Sequence, residues 1–195
     1  ISQWGHDFRP EYARLGELRV LVGNPPTAGF TATATSEVRE DVVRQLRLAN
    51  PRVFVAGFER PNLRLIVRRP GSVAEKMDLL DAAVRESGTP AIVYAATRKN
   101  VELVAAHLAS RGLLASAYHG GLDAESRARV QDAFMSGERP VIVATNAFGM
   151  GVDKSDIRLV VHYDVPGSVE AYYQEAGRAG RDGRPADCVL LYNYA

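Results

Sequence analysis

Runs such as Ala91-Ile-Val-Tyr94 and Val141-Ile-Val-Ala144, apolar at every position and separated by amphipathic stretches, constrain the fold of this chain more than any other feature. A strand with one wet face alternates apolar and polar residues, so a strand without alternation has to be covered on both faces. The periodicity predicts strands over 63–67, 91–95, 115–118, 140–144, 157–163 and 187–192, and helices over 73–87, 98–111, 123–136 and 168–177. Their near-regular succession fits an α/β fold, a doubly wound parallel sheet with helices on both faces. In such sheets ligands sit beyond the carboxyl ends of the strands, which directs attention to the loops after residues 95, 118, 145 and 163.

Upstream of that sheet, residues 28–33 and Val53–Ala56 read as strands. Between them Val38, Val42, Val43 and Leu46 recur at helical spacing behind Ser36, a good N-cap. Arg60-Pro61-Asn62 reads as a break and Arg68-Arg69-Pro70-Gly71-Ser72 as a turn. The boundary falls near residues 57–62 and divides the chain into domains 1–58 and 59–195.

The 195 residues carry 24 Lys and Arg against 23 Asp and Glu, a net charge of +1, so any footprint for a polyanion has to be local. The single cysteine, Cys188, sits in an apolar run and excludes an internal disulfide framework or a multi-cysteine zinc site. No apolar run reaches the roughly 18 residues of a membrane span, and the expectation is a cytoplasmic protein without membrane contact. The chain opens on Ile1 within a dense motif and is read as a segment of something longer.

Chemistry concentrates in five places. Gln174-Glu-Ala-Gly-Arg178-Ala-Gly-Arg181 sets two arginines three apart beside two glycines, a pattern suited to gripping phosphate, because guanidinium is a permanently charged planar fork. A basic pair favoured by a helix C-terminus explains it equally. Two glycines make a helix through this stretch doubtful, and the helix is expected to end near Arg178. No GxxxxGK[ST] loop occurs in the 195 residues, so the arginines read as half of a nucleotide site. Thr97, Arg98 and Lys99 open a helix, where backbone N–H groups favour an anion; Thr97 as an ordinary N-cap is the plainer account. His119-Gly120-Gly121 places paired glycines beside an imidazole, and a tight turn would also call for them. Thr145 to Lys154 is a long loop in which Thr145 could meet a phosphate and Asp153 a ribose or an arginine, with Phe148 and Met150 open to core packing. Gln3 to Tyr12 gathers Trp4, His6, Phe8 and Arg9 around Gly5 and Pro10. Such rings and an arginine plane can stack on unpaired bases at ~1–3 kcal/mol per base, or plug a core.

Taken together, WGHDFRPEY at 4–12, FTATAT at 30–35, AYHGGL at 117–122, VATNAFGMGVDK at 143–154 and YYQEAGRAGRDG at 172–183 resemble the RecQ DNA helicases of superfamily 2 across nearly the whole chain. QxxGRxGR recurs in many superfamily 2 motors; the aromatic segment is far more specific. The resemblance implies RecA-like lobes, with residues 1–58 the tail of the first and 59–195 most of the second. It implies an ATP-driven motor that moves 3′ to 5′ on single-stranded DNA and unwinds duplexes in repair and recombination. Single-stranded and forked DNA would be its substrates, single-stranded-DNA-binding protein or repair factors its partners, and the nucleoid its setting if the source is a bacterium.

By the same resemblance Arg178 and Arg181 form the arginine-finger set, Gln174 orders that interface, and Gly151 and Asp153 lie on the nucleotide side. Trp4, His6, Phe8 and Arg9 sense single-stranded DNA, and Thr31 and Thr33 link the lobes. Thr97, Arg98, His119, Thr145 and Asn146 line the DNA track. Ala95-Ala96 departs from the family, where Cys-Asn is frequent, and weakens one expected DNA contact. ATP and Mg2+ would be held mainly by the P-loop and DEAH carboxylates, which these residues lack. Zinc is expected only outside the segment, with the zinc-binding, winged-helix and HRDC regions. Residues 1–195 alone are therefore not expected to hydrolyse ATP. A non-catalytic nucleic-acid clamp built on a helicase lobe, and an RNA-directed motor, are the competing readings.

Overall fold

The computed structural model describes residues 14–31, 34–55, 59–149 and 152–192, and the chain divides into two compact units, residues 1–58 and 59–195. Trp4, His6, Phe8, Arg9, Thr33, Met150 and Gly151 lie outside the described residues.

The second unit is a sheet of six strands in the order β1-β6-β5-β2-β4-β3, parallel at every pairing. In chain order its elements are β1 (Leu63–Arg68), α3 (Val73–Ser87), β2 (Ala91–Tyr94), α4 (Arg98–Ser110), β3 (Ala115–Tyr118), α5 (Ala124–Ser136), β4 (Val141–Ala144), β5 (Leu159–His162), α6 (Val169–Ala176) and β6 (Ala186–Leu191). The expected α/β parallel sheet is present, and the reason is visible residue by residue. Ala91 and Val93 face one core with Val143 and Val161, against Leu80 and Val84 of α3 and Val101, Val104 and Leu108 of α4. Ile92 and Tyr94 face the other with Ile142, Val160 and Cys188, against Phe134 of α5 and Ala176 of α6. Unbroken apolar strands are what two covered faces require.

Local signals start the helices where they do. Ser72, Thr97, Asp123 and Ser168 each accept a hydrogen bond from the backbone N–H three residues on, at 3.1, 3.1, 2.8 and 3.1 Å. Each such cap is worth about 1 kcal/mol. Glu75 closes the first of them by reaching back to the Gly71 N–H at 2.7 Å, a near relative of the capping box. Among the described residues no helix is long and apolar enough to cross a membrane.

The first unit corrects the sequence reading in three places. Residues 28–31 and 53–55 are not strands: no partner strand offers them hydrogen bonds among the described residues, and Phe30 and Phe54 are exposed. Leu15–Leu21 forms a helix, α1, which the sequence reading passed over although Leu15, Leu18 and Leu21 already carry helical spacing. The helix Ser36–Gln45, α2, is capped by Thr35 rather than Ser36, its side chain accepting from Val38 N at 3.3 Å. Arg19 binds the unit together, donating to Thr27 Oγ1, Asn24 Oδ1 and the Arg47 carbonyl at 3.0, 3.1 and 2.9 Å.

Candidate functional site

Strand register sets the stage. Tyr94 pairs with Ala144 and His162, and Tyr118 with Ala144, so the loops after β2, β3, β4 and β5 leave the sheet at one level along its carboxyl edge. Two groups of candidate residues assemble there, and the loop after β4 runs from one to the other.

The first group surrounds the start of α4. The Thr97 hydroxyl oxygen is engaged as the N-cap, accepting from Asn100 N. Arg98 is exposed, and its Nη1 lies 3.1 Å from where a β-carbon on Gly121 would stand, which puts the guanidinium over the His119-Gly120-Gly121 turn. His119 is buried: its Nδ1 accepts from the Gly121 N–H at 3.1 Å and its Nε2 stands 3.2 Å from Glu102 Oε1. That pattern puts the proton on Nε2. Thr145 is half-buried and donates its N–H to the Tyr118 carbonyl at 3.3 Å, while Asn146 is exposed. Asp164, directly after β5, templates this group. Its Oδ2 accepts from the Ala96 N–H at 2.8 Å and Asn100 Nδ2 at 2.9 Å, and its Oδ1 is 3.7 Å from Lys76 Nζ. Lys76 is buried over the Tyr163 ring at 4.1 Å, and burial draws its pKa below the usual lysine value against the pull of Asp164.

The second group surrounds the arginines. Helix α6 stops at Ala176, so Gln174 lies on the helix while Arg178 and Arg181 follow it on turns, close to the expected end. Gln174 is exposed. Arg178 is seated: its Nη1 donates to the Gly149 carbonyl at 2.7 Å, and its Nε is buried without a partner among the described residues. Gly149 has φ of 151° and lies flat on that guanidinium, leaving no room for a β-carbon. Tyr94 completes the seat by donating its hydroxyl to the Phe148 carbonyl at 3.1 Å. Burial pushes the Tyr94 phenol up to about 12 despite the neighbouring Arg178, so it keeps its proton and remains a donor. Phe148 itself is core, edge-on to Tyr118 and Phe134 at 4.8 and 5.7 Å. Arg181 is more open. It holds Asp153 Oδ1 at 3.0 Å, with side chains 38% and 88% exposed.

Sequence reasoning missed Arg60, Asn62, Tyr94, Asp164 and Lys76. Asp164 follows a strand's carboxyl end, where chemistry was sought, and Arg60-Pro61-Asn62 was taken only for a break. Thr31, in the first unit, lies in irregular backbone ahead of α2. Among the described residues no three His, Cys, Asp or Glu side chains gather as a metal-binding group.

This arrangement, a parallel sheet whose carboxyl edge bears a row of polar loops and an arginine turn after its last helix, has counterparts among solved structures. S. cerevisiae Dbp5 bound to RNA and ADP BeF3 superposes with a TM-score of 0.71 at 25% identity, covering 91% of this chain and 48% of that one. The fold is thus that of a RecA-like helicase lobe. Residues 75–183 match the helicase conserved C-terminal domain. The chain is 45% identical over 199 residues to the ATP-dependent DNA helicase RecQ of Pasteurella multocida, covering 100% of this chain and 30% of that protein. It is 45% identical over 192 residues to the probable ATP-dependent DNA helicase RecS of Bacillus subtilis, covering 98% and 39%. The chain belongs to the helicase conserved C-terminal domain family, and within it to the RecQ helicases. It spans between 30% and 39% of the length of these two relatives.

Proposed function

We propose that the intact protein is an ATP-dependent DNA helicase that translocates 3′ to 5′ on single-stranded DNA, and that residues 59–195 are its second motor lobe. Residues 1–58 are the end of the first, with Trp4, His6, Phe8 and Arg9 as its DNA-sensing loop and Thr31 and Thr33 in the link between lobes. The nucleotide is held by a P-loop that residues 1–195 do not contain, and this lobe supplies Arg181 to its terminal phosphate. Mg2+ would be held with the nucleotide, mainly by the P-loop and DEAH carboxylates that residues 1–195 do not contain.

The observation that carries this reading is the unequal setting of the two arginines. Arg178 is locked under Gly149, whereas Arg181 is held, among the described residues, by a hydrogen bond to the exposed Asp153. An exposed ion pair of that kind is worth about 0–1 kcal/mol, so a phosphate, with more charge and more acceptors, takes the guanidinium over readily. Arg178 is then the anchor that aims the turn and Arg181 the finger. The loop from Thr145 to Asp153 links this exchange to the DNA side: Thr145 and Asn146 stand at its start, and Gly149 and Asp153 on the arginines. Thr97, Arg98, His119, Thr145 and Asn146 line the DNA track in this reading. The three N–H and hydroxyl groups already engaged within the lobe, on Thr97, Gly121 and Thr145, shape that track more than they bind along it.

The test is ATP turnover by the intact protein, with single-stranded DNA, with single-stranded RNA and without nucleic acid. Wild type is expected to respond to DNA. Arg181→Ala is expected to lose roughly 10³ or more in kcat while still binding nucleotide, as for arginine fingers in other NTPases. Trp4→Ala is expected to lose DNA stimulation. Unchanged turnover in both variants would leave a DNA clamp as the better reading, and equal stimulation by RNA an RNA-directed motor.

A further inference from the structure

The turn that carries the two arginines is tied back to α6 through its N–H groups. Gly177, Arg178 and Ala179 donate to the carbonyls of Tyr173, Glu175 and Ala176 at 2.9, 3.2 and 3.0 Å, but the turn's own carbonyls find their partners outside the helix. After Ala176 the chain turns through residues 177–180, and the carbonyls of Gly177, Ala179 and Gly180 lie beyond the reach of a helical N–H at the negative end of the α6 dipole, with Gly180 O accepting a turn bond from Gly183 N at 3.0 Å. Arg60 meets all three. Its Nη1 donates to Gly177 O at 3.3 Å, and its Nη2 donates to Ala179 O and Gly180 O at 2.9 Å each. Asn62 stands beside it. Asn62 Oδ1 accepts from Arg60 Nε at 3.4 Å, and Asn62 Nδ2 donates to Gly180 O at 2.8 Å and Arg184 O at 2.9 Å. The contact is too close for any side chain on residue 180. Gly180 has φ of 54°, and a β-carbon there would stand 2.5 Å from Asn62 Nδ2 and 2.7 Å from Arg184 O. Backbone bonds from Gly180 N to Ile157 O and from Ala186 N to Asn62 O, at 2.9 and 3.0 Å, complete the mount.

We propose that Arg60 and Asn62 are positioning residues for the ATPase reaction, which set the aim of Arg181 by clamping the backbone that carries it. The inference rests on the reading of Arg181 as the finger. Three features of the clamp support it. A planar fork can bridge three carbonyls at once where an ammonium cannot. The clamp grips the backbone on both sides of Arg178, and one residue before Arg181, yet touches neither guanidinium. Arg60 and Asn62 also directly precede β1, which pairs with β6, so the clamp is mounted on a strand of the sheet that the arginine turn leads into. A displacement of about 1 Å in a group acting on a transition state is enough to lose ~10²-fold in rate, so a loosened mount acts on kcat and leaves ground-state binding alone.

The test uses the intact protein with saturating single-stranded DNA and compares Arg60→Ala, Arg60→Lys, Asn62→Ala and Arg181→Ala with the double variant R60A/R181A. Arg60→Ala is expected to lower kcat about 10- to 100-fold, with KM for ATP and the Kd for DNA within about twofold of wild type. Arg60→Lys should recover only part of that loss, and Asn62→Ala should show a smaller fall of the same kind. The double variant is decisive: if Arg60 works through Arg181, adding R60A to R181A lowers kcat no further. Multiplying losses would make Arg60 a merely structural residue and overturn the proposal, as would a normal kcat in Arg60→Ala beside a dead Arg181→Ala. Normal turnover in Arg181→Ala would remove the finger reading itself, and the clamp with it. Should Arg60→Ala melt below the assay temperature, the same cycle run with Asn62→Ala decides.

Discussion

At the scale of single residues, the two arginines three positions apart have different settings, and a glycine explains why. Gly149 combines a φ of 151° with a guanidinium pressed where its β-carbon would be. Gly149→Ala is expected to cost about 1–3 kcal/mol through backbone strain alone, and more through eviction of Arg178. In the intact protein this should appear as a lower melting temperature for the lobe and a lower DNA-stimulated kcat. Wild-type values for both would show that Arg178 is not seated on Gly149. Cys188 marks the opposite case, since burial pushes its thiol up to about 12 and leaves it an inert core residue.

Among the elements, the start of α4 owes its shape to a residue on another strand. Asp164 holds the Ala96 N–H, Asn100 and the buried Lys76 together. Asp164→Ala would strip a buried lysine of its counter-charge and a backbone donor of its acceptor, at about 2–4 kcal/mol. Single-stranded DNA binding should weaken as well, because the turn presenting Arg98 loses its template. Asp164→Asn keeps an acceptor for Ala96 N and should retain most of the affinity in a fluorescence-anisotropy titration. An affinity unchanged in Asp164→Ala would detach this turn from DNA binding. The departure at Ala95-Ala96 matters less in this light, since residue 96 serves the network through its backbone.

For the molecule as a whole, the edge of the sheet is stapled by charge. Arg64 on β1 forms a two-pronged pair with Asp187 on β6, at 2.8 and 2.7 Å, joined by the Ser87 hydroxyl at 2.6 Å. Arg64, and after it Ser87, hold the Asp187 carboxyl below the usual carboxylate range against the opposing effect of burial. Asp182 is lowered likewise, chiefly by Arg158. A carboxylate depressed in the folded state gives stability that is complete above its unfolded pKa, near 3.9, and is lost as pH falls through the lower folded value. Melting temperature should therefore drop steeply below about pH 4. Asp187→Asn should flatten that acid limb and lower stability at neutral pH; an unaltered acid limb would show that the staple contributes nothing.

How much of this was legible follows from the range of the forces involved. Apolar periodicity and capping residues act within a few positions, and they determined the strands and helices of residues 59–195, the parallel character of the sheet, and the loops on which the chemistry lies. Val53 to Val55 and residues 28–31 show the limit: a β-prone stretch becomes a strand only when a neighbour supplies hydrogen bonds, and a local pattern cannot say whether one does. The identity of the arginines was likewise open to reading, because their residue types and spacing carry the chemistry. Their inequality was not. It arises from Gly149 and Tyr94, and the turn that bears both arginines is mounted by Arg60, which reaches its carbonyl partners across 117 to 120 positions of sequence. The strand order β1-β6-β5-β2-β4-β3 brings them together. The sequence alone therefore determined the elements and the chemical vocabulary of this lobe, whose causes are local. Only the tertiary structure decided which arginine is seated and which is held by an exposed carboxylate, because contacts distant in the chain become neighbours only when the sheet has closed around them.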